Sequence, residues 1–426
     1  MRKPIRIAIV GAGSSYTPEL LDMMGQMRHQ LSVAELRLQD IDGRRLSIME
    51  GFTRRYLAYM GLEVKVSSTM NREEAVAGVD FVVTQVRVGG NQARVQDERI
   101  PLKYGLLGQE TTGAGGFAKA LRTIPVMLDI ARDVERINPK AWIINYTNPT
   151  GIVAEAVARY TGARFIALCG GGRHPGNMLY KAYGIEHSRV RYDYFGLNHF
   201  NFSYNITVDG EPITQEQWKG IAQACGVNPE LTVRMKLLPS LYLPYFHNRT
   251  HKVEALREAA QTRGEQVLEI EKELFAQYAD PAVCTKPELL GKRGGGDYAE
   301  MALGVIRAIA YNEDTFAVCN VPNRGAIPFL KDDAVIETAC IVNAAGATPT
   351  VFTSFPDSVR GLVAAVKSYE SLTVEAAVEG SRDKALFALL AHPLIMDYDL
   401  AQPMLDELLE ANRGFLPAFF GEKSEK

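Results

Sequence analysis

The first 27 residues carry the pattern that most constrains the fold of this chain. Residues 5–10 form an almost uninterrupted apolar run rich in β-branched side chains, which predicts a central parallel strand covered on both faces. A glycine-rich turn over residues 11–18 and a helix over residues 19–27 follow this strand. A strand, a glycine turn and a helix N-terminus in this order place backbone N–H groups against a pyrophosphate.

The residues around this turn favour NAD over NADP as the bound nucleotide. Gly11 allows the tight turn, and Gly13 allows a close approach of the backbone. Asp40, at the end of the second predicted strand, is suited to the ribose hydroxyls of NAD and disfavours the extra phosphate of NADP. Tyr16 replaces the third glycine of the fingerprint, so an empty doubly wound fold or another phosphate ligand also stays open. The predicted cofactor-binding residues are Gly11, Gly13, Ser14, Ser15, Asp40 and Arg87.

Strands and helices alternate along the first half of the chain and become irregular in the second half. This alternation predicts an α/β fold with a doubly wound parallel, Rossmann-like sheet over residues 1–195, followed by a mixed α/β domain over residues 196–426. Further strands are predicted at residues 35–40, 81–86, 141–146 and 164–168, and later near 188–202 and 315–321. Helices are predicted at residues 44–60, 122–138, 152–160, 252–278, 298–311, 358–370, 373–391 and 399–412.

Composition excludes several classes of partner. With 47 Lys and Arg against 50 Asp and Glu, the net charge of −3 offers no general attraction for nucleic acid or an anionic membrane. No apolar run reaches the roughly 18 residues that span a bilayer. The 5 cysteines are odd in number and widely spaced, which is typical of reduced thiols. We therefore expect a cytoplasmic protein that binds neither nucleic acid nor membranes.

Polar, glycine-rich stretches are predicted to line a ligand crevice. Two of them directly follow predicted strands, and the loops beyond the carboxyl ends of parallel strands line the crevice of such a sheet. Topology alone therefore brings Arg87, Asn148 and Cys169 to one crevice. These stretches, which are too polar for core strands or helices, cover residues 85–90, 108–116, 145–151 and 196–200.

Several motifs, in order along nearly the whole chain, resemble glycoside hydrolase family 4 and most closely its 6-phospho-β-glucosidase branch. They are IVGAGSSYTPE (9–19), IPLKYGLLGQETTG (100–113), NYTNPTG (145–151), GLNH (196–199), IEKELF (270–275) and KRGG (292–295). The resemblance implies a lactate/malate dehydrogenase-like fold whose first domain binds NAD. It also implies that the second domain binds substrate and associates into a homodimer or homotetramer.

The resemblance implies an unusual route of glycoside hydrolysis that needs NAD and a divalent metal, usually Mn²⁺. NAD⁺ takes a hydride from C3 of the sugar, and the resulting ketone, polarised by the metal, acidifies the proton on C2. A tyrosine removes that proton, the aglycone leaves by elimination, water adds at C1, and the hydride returns to C3. The substrate that the resemblance implies is a phosphorylated glycoside, namely a 6-phospho-β-glucoside.

Carried over residue by residue, the resemblance assigns a role to each site position. Cys169 and His199 match the metal ligands. Tyr242 matches the base, with Tyr245 as the neighbouring alternative, and Glu110 matches the acid that supports it. The positions that match the sugar-phosphate contacts are Arg94, Asn148 and Arg263, while Arg87 is placed to help either ligand.

One position departs from the family and keeps other functions open. Gly170 stands where the family usually carries Asn in the β-type branch or Asp in the α-type branch. The missing acid weighs against the α-type branch, and the missing Asn leaves a different sugar specificity open. His174 lies two residues beyond three consecutive glycines, which allow unusual loop geometry, and is a candidate substitute acid or ligand. A plain NAD-dependent dehydrogenase and a non-catalytic NAD or sugar sensor are the remaining alternatives.

Overall fold

Thirteen strands and eighteen α-helices occur within residues 2–170, 174–294, 298–352 and 355–421, which the computed structural model describes. The strands are β1 Ile5–Val10, β2 Val33–Gln39, β3 Lys65–Thr69, β4 Phe81–Thr84, β5 Trp142–Asn145, β6 Arg164–Ala167, β7 Val190–Leu197, β8 Phe200–Val208, β9 Glu211–Pro212, β10 Leu238–Pro239, β11 Thr315–Pro322, β12 Val335–Asn343 and β13 Gly346–Pro349. The helices are α1 Thr17–Gln26, α2 Gly43–Tyr59, α3 Arg72–Val76, α4 Gly90–Lys103, α5 Gly113–Ile137, α6 Thr150–Tyr160, α7 His174–Tyr183, α8 Gln215–Ala224, α9 Pro229–Met235, α10 Pro244–His247, α11 Arg249–Glu258, α12 Arg263–Ala279, α13 Leu289–Arg293, α14 Tyr298–Tyr311, α15 Asp357–Glu379, α16 Arg382–Ala391, α17 Tyr398–Ala411 and α18 Pro417–Phe420.

The central feature is a nine-stranded sheet in the order β3-β2-β1-β4-β5-β6-β11-β12-β13. Its first six strands are parallel, and their order is that of a doubly wound dinucleotide-binding fold. Strands β11 to β13 extend the sheet in antiparallel fashion beyond β6. A smaller antiparallel sheet contains β7, β8 and β10, with β9 paired to β8. The predicted α/β class with a doubly wound parallel sheet is confirmed.

Both faces of the parallel sheet are buried, as the apolar run of β1 predicts. Ile7 and Ile9 belong to one hydrophobic cluster, together with residues of α2 and α14. Ala8 and Val10 point to the other face and join a cluster that contains residues of α5 and α6. Alternate side chains of a strand face opposite sides of a sheet. A strand that packs against hydrophobic clusters on both faces therefore needs a continuous apolar run.

The predicted strands of the first half are all present, and the differences lie at their ends. Strand β1 has the predicted bounds, whereas β2, β4, β5 and β6 each end one or two residues earlier than predicted. Beyond β4 the backbone leaves the ladder, since the N–H of Val86 donates to the hydroxyl of Thr147 at 3.0 Å. Strand β3 was not predicted because its sequence, KVSST, is polar and half-exposed at the sheet edge.

The prediction that residues 108–116 form only loop is wrong for its last four residues. Helix α5 begins at Gly113, nine residues before the predicted start at residue 122, and Gly113 to Gly116 are buried. A Cβ at Gly115 would lie 2.3 Å from the carbonyl oxygen of Gln109, and one at Gly116 would lie 2.5 Å from the carbonyl carbon of Thr111. These glycines therefore serve close packing of a helix start against the preceding loop.

In the second half, two predicted helix boundaries are corrected. Residues 252–278 are not one helix, because α12 begins at a capping box in which Thr262 and Glu265 bond each other's backbone N–H groups. Conversely, the break predicted between helices 358–370 and 373–391 lies later in the chain, because α15 runs over Asp357–Glu379 and ends at Gly380, which has a φ of 66°. The strand predicted near 188–202 is the hairpin of β7 and β8.

The two halves of the chain share one sheet, since β11 to β13 follow residue 196 yet continue the sheet of the first half. The domain division at residues 195 and 196 stays a prediction. None of the helices in the described ranges is long and apolar enough to cross a membrane. None of the five cysteines, all of which lie within these ranges, forms a disulfide.

Candidate active site

The glycine turn after β1 is shaped as the fingerprint requires. Gly11 has a φ of 88°, and a Cβ there would lie 3.0 Å from the carbonyl of Gln85. A Cβ on Gly13 would lie 2.7 Å from a carboxylate oxygen of Asp40. That carboxylate accepts a hydrogen bond of 2.7 Å from the Gly13 N–H, so the acid after β2 and the turn after β1 form one unit.

The serines of the turn point in different directions. The hydroxyl of Ser15 is buried and donates to the carboxylate of Glu271 on α12 at 2.7 Å. Ser14 accepts a hydrogen bond from the N–H of Tyr16 through its hydroxyl. Tyr16 itself packs against a cation, with the guanidinium of Arg293 lying 4.3 Å from its ring centre. An aromatic side chain at the third fingerprint position is thus accommodated by α13.

Cys169 and His199 meet beside the carboxyl end of the parallel sheet. Cys169 lies two residues beyond β6, and His199 occupies the tight turn between β7 and β8 with a φ of 62°. Their Sγ and Nε2 atoms are 3.5 Å apart, and both side chains are buried. Burial lowers the pKa of His199 to about 3, an effect that the nearby cation of Lys119 reinforces. His199 is therefore neutral and has a lone pair to offer at physiological pH.

The geometry of this pair suits a divalent metal ion. The Sγ of Cys169 and the Nε2 of His199, which are 3.5 Å apart, are close enough to bind one ion together, and thiolate sulfur and imidazole nitrogen are both ligands of divalent transition metals. Among the described residues, no group of three or more His, Cys, Asp or Glu side chains is arranged around a common metal position. The described residues thus offer two ligands from this pair and leave other coordination positions open.

Tyr242 and Tyr298 border the same pair. The ring of Tyr242 stacks on the imidazole of His199, with ring centres 3.9 Å apart and planes inclined by 18°. The hydroxyl of Tyr298 lies 4.0 Å from the Sγ of Cys169. Tyr245, the alternative base, has its ring centre 6.1 Å from that of Tyr242. Tyr242, rather than Tyr245, therefore contacts the predicted metal ligand.

Burial governs the ionisation of Tyr242. Desolvation raises the pKa of its phenol, and the nearby Cys169 and Glu110 act in the same direction, while the Thr111 hydroxyl opposes them. A cation bound beside the ring would lower this pKa, because it favours the charged form of its neighbour.

Glu110 is surrounded by three cations. Its carboxylate pairs with Arg87, with Arg94 at 3.0 Å and with Lys119 at 2.7 Å. Only 14% of the Glu110 side chain is exposed. Burial opposes its ionisation, yet Arg87, Lys119 and Arg94 outweigh that cost and hold the pKa of Glu110 well below its usual range. The same burial lowers the pKa of Lys119 to about 7.

The two predicted phosphate-binding arginines are linked through one carboxylate. Glu98 on α4 accepts a hydrogen bond from Arg94 at 2.8 Å and another from the N–H of Gly264 at 2.7 Å. Gly264 directly follows Arg263 at the start of α12. The exposed guanidinium of Arg263 donates to the carbonyl oxygens of Lys292 and Arg293 at 2.6 and 3.0 Å.

Asn148, the third predicted phosphate contact, lies in the loop after β5. Its amide oxygen accepts hydrogen bonds from the N–H and the hydroxyl of Thr150 at 3.4 and 3.2 Å. The hydrogen bonds of this side chain go to Tyr146 and Thr150 in its own turn, and within the described residues none joins it to Arg94 or Arg263.

Sequence reasoning missed Lys119 and Tyr298 as members of the site. Lys119 lies in α5 between the predicted loop, which ends at residue 116, and the predicted helix start at residue 122. Tyr298 follows a glycine-rich stretch without a pattern of its own. A Cβ on Gly170 would lie 3.7 Å from the ring of Tyr298, which is ordinary contact, so a larger side chain would meet that ring. Residues 171–173 lie outside the described residues, as does the side chain of His174.

The strand order, the glycine turn and the acid after β2 define an α/β protein of the dinucleotide-binding class. Within that class, the chain belongs to family 4 of the glycosyl hydrolases. The family model described as "Family 4 glycosyl hydrolase" matches residues 6–180, and the model of the family's C-terminal domain matches residues 194–395.

Relatives match nearly the full length of this chain. A probable 6-phospho-β-glucosidase of Bacillus subtilis (strain 168) is 38% identical, and the alignment covers 99% of this chain and 99% of that relative. The solved 6-phospho-β-glucosidase of Thermotoga maritima with manganese, NAD⁺ and glucose-6-phosphate is 34% identical, with a TM-score of 0.89 over 97% of this chain and 99% of that chain. A 6-phospho-α-glucosidase from gut microorganisms, solved with NAD and Mn²⁺, is 30% identical. Its TM-score is 0.88 over 97% of this chain and 99% of that chain.

A more distant likeness concerns the fold alone. The malate dehydrogenase of Plasmodium falciparum has a TM-score of 0.52 and 13% identity, over 90% of this chain and 99% of that one. The predicted malate dehydrogenase-like architecture is therefore confirmed.

Proposed function

We propose that this chain hydrolyses 6-phospho-β-glucosides with the help of NAD and a divalent metal, preferentially Mn²⁺. The observation that carries the proposal is the convergence of three residues in a family 4 chain: the Sγ of Cys169 lies 3.5 Å from the Nε2 of His199, and the ring of Tyr242 stacks on that imidazole with ring centres 3.9 Å apart. Residues 1–195 would hold the cofactor, and residues 196–426 would supply most of the sugar-binding side and the surface for association as a homodimer or homotetramer.

The residues divide the work by position. When bound, NAD supplies reversible oxidation at C3 of the sugar, and the metal acidifies the proton on C2. Cys169 and His199 would hold the metal as thiolate and neutral imidazole, a softer pair than Mn²⁺ prefers, which makes the site sensitive to oxidation of the thiol. Tyr242, stacked on His199, would accept the C2 proton. A reducing cytoplasm suits this arrangement.

The β-type substrate is favoured over the α-type by two observations. Among the solved structures, the β-type enzyme of Thermotoga maritima shares 34% identity with this chain, against 30% for the α-type enzyme. Gly170 also lacks the carboxyl group that an α-type acid would supply. A different sugar specificity remains the second candidate, because Gly170 equally lacks the polar side chain of the β-type branch.

Cleavage of a chromogenic 6-phospho-β-glucoside tests this function most simply. We expect turnover only when NAD⁺, Mn²⁺ and a thiol reductant are all present, at least tenfold slower turnover of the α-anomer, and no net NADH. Accumulation of NADH with turnover would instead indicate a plain dehydrogenase. Binding of NAD without any cleavage would indicate a sensor, and either result would contradict the proposal.

Arg263→Ala tests the phosphate contact. A guanidinium hydrogen-bonded to a phosphate contributes about 1.5–3 kcal/mol, so we expect KM for the 6-phosphoglycoside to rise about 10- to 100-fold with little change for the dephosphorylated glycoside. Arg99→Ala is the matched control, because Arg99 is an exposed arginine on neighbouring α4 whose partner is Glu265. Equal losses on both substrates, or the same effect in the control, would remove Arg263 from the phosphate site.

A further inference from the structure

Glu337 on β12 is a buried carboxylate whose four hydrogen bonds all come from neutral donors. Only 1% of the surface of Glu337 is exposed. Its four donors are the hydroxyl of Tyr194 at 2.8 Å and the side-chain amides of Asn201 at 2.8 Å, Asn198 at 2.9 Å and Asn320 at 2.9 Å. A carboxylate that stays buried without a bonded cation needs such complete hydrogen bonding.

Three of these donors belong to the hairpin that carries His199, and the fourth lies on the strand next to β6, after which Cys169 follows. Asn198 and Asn201 lie on either side of His199 in the hairpin of β7 and β8. Asn320 on β11 pairs with Ala167 on β6, two residues before Cys169. The carboxylate of Glu337 thus ties the turn bearing one ligand to the strands next to the other.

The turn that presents His199 needs such a tether. His199 has a φ of 62°, a left-handed conformation that a non-glycine residue adopts only when its surroundings impose it. Asn198, directly before it, is held on both sides, because its amide nitrogen donates to Glu337 and its amide oxygen accepts from the N–H of Gly151 at 3.4 Å.

We propose that Glu337 is a positioning residue that fixes His199 at binding distance from Cys169 and thereby sets the affinity for the divalent metal. The inference rests on the proposed function, since it takes Cys169 and His199 as the metal ligands. Partners that orient a metal-binding histidine typically account for 10- to 100-fold in metal affinity.

Glu337→Gln keeps the shape of the side chain but replaces one accepting oxygen by an amide nitrogen, which is itself a donor and would face the donors of the neighbouring residues. We expect the Kd for Mn²⁺ of the NAD-loaded, reduced enzyme to rise about 10- to 100-fold, measured from the electron paramagnetic resonance signal of free Mn²⁺. The Kd for NAD⁺ should change less than threefold, because the glycine turn and Asp40 do not contact Glu337. Glu35→Gln, a change of a mostly buried carboxylate on β2 that is bonded to Arg37, is the control and should leave both constants unchanged.

A double-mutant cycle with His199→Ala separates positioning from general damage. If Glu337 acts through His199, Glu337→Gln will weaken Mn²⁺ binding in the wild type but not in the His199→Ala background. Equal effects in both backgrounds, or no effect in the wild type, would overturn the inference while leaving the metal pair intact. An unchanged Kd in His199→Ala alone would overturn the proposed metal site and the inference with it.

Asn198→Ala provides a second variant if Glu337→Gln does not fold. It removes one hydrogen bond that holds the His199 turn, while the same oxygen of Glu337 keeps its hydrogen bond from Asn320. We expect the Kd for Mn²⁺ to rise about tenfold, and an unchanged value would contradict the tether.

Discussion

Tyr242→Phe is expected to lower kcat on a 6-phospho-β-glucoside by about 10²- to 10⁴-fold, the range typical of a lost general base. The phenyl ring of the variant keeps the stack on His199, whose ring centre is 3.9 Å away, so the site keeps its shape and loses only the hydroxyl. We therefore expect the Kd values for Mn²⁺ and NAD⁺ to change less than threefold. Steady-state kinetics with saturating cofactor and metal, together with the two binding constants, provide the measurement.

Tyr245→Phe is the matched control for this variant. Tyr245 lies three residues further on, its ring centre is 6.1 Å from that of Tyr242, and it does not stack on His199. Its variant should keep kcat within a factor of about three. The reverse pattern, with Tyr245→Phe inactive and Tyr242→Phe active, would assign the base to Tyr245.

Glu110→Gln is expected to cost about 3–5 kcal/mol in the free energy of unfolding, because it leaves three clustered cations without their shared carboxylate. Arg94 and Lys119 expose only 10% and 4% of their side chains, so water does not replace the lost partner. Denaturant unfolding of the wild type and the variant at pH 7 in reducing buffer measures this difference in the free energy of unfolding. We also expect loss of turnover, since Arg87 and Arg94 would no longer be held beside the crevice.

Glu410→Gln is the comparison for this change in charge. Glu410 pairs with Arg413 on the surface, where 63% of the glutamate side chain is exposed. Screening by water makes such pairs contribute little, so its variant should unfold like the wild type. If Glu110→Gln also left the free energy of unfolding unchanged, the carboxylate of Glu110 would not be needed to stabilise the three cations.

The parts of the site that follow from local patterns could be predicted from the sequence. The apolar run of β1 and the glycines after it fix a strand and a turn over a few neighbouring residues, and the structure contains both. The place of Cys169 follows from topology, because it comes directly after a strand of a parallel sheet. His199 and Tyr242 were placed by resemblance to a family, since thirty or more residues separate each of them from Cys169.

The contacts that could not be predicted join distant segments. Glu337 and Asn198 are 139 residues apart in the chain, and nothing in the pattern around either one indicates the partner. Lys119 was missed because its helix begins with glycines, which usually indicate a loop but here allow the helix start to touch the backbone of Gln109. Local propensity carries no information about such close approaches.

Incorporation of solvent hydrogen at C2 of the sugar tests the central claim most directly, because only removal of that proton exposes C2 to exchange. The reaction is run in D₂O with NAD⁺, Mn²⁺ and reductant, stopped early, and the sugar phosphate is examined by NMR. A parallel incubation of the enzyme with the product alone corrects for later exchange. The account predicts one deuterium at C2 and all cofactor recovered as NAD⁺, whereas product with hydrogen retained at C2 would contradict it.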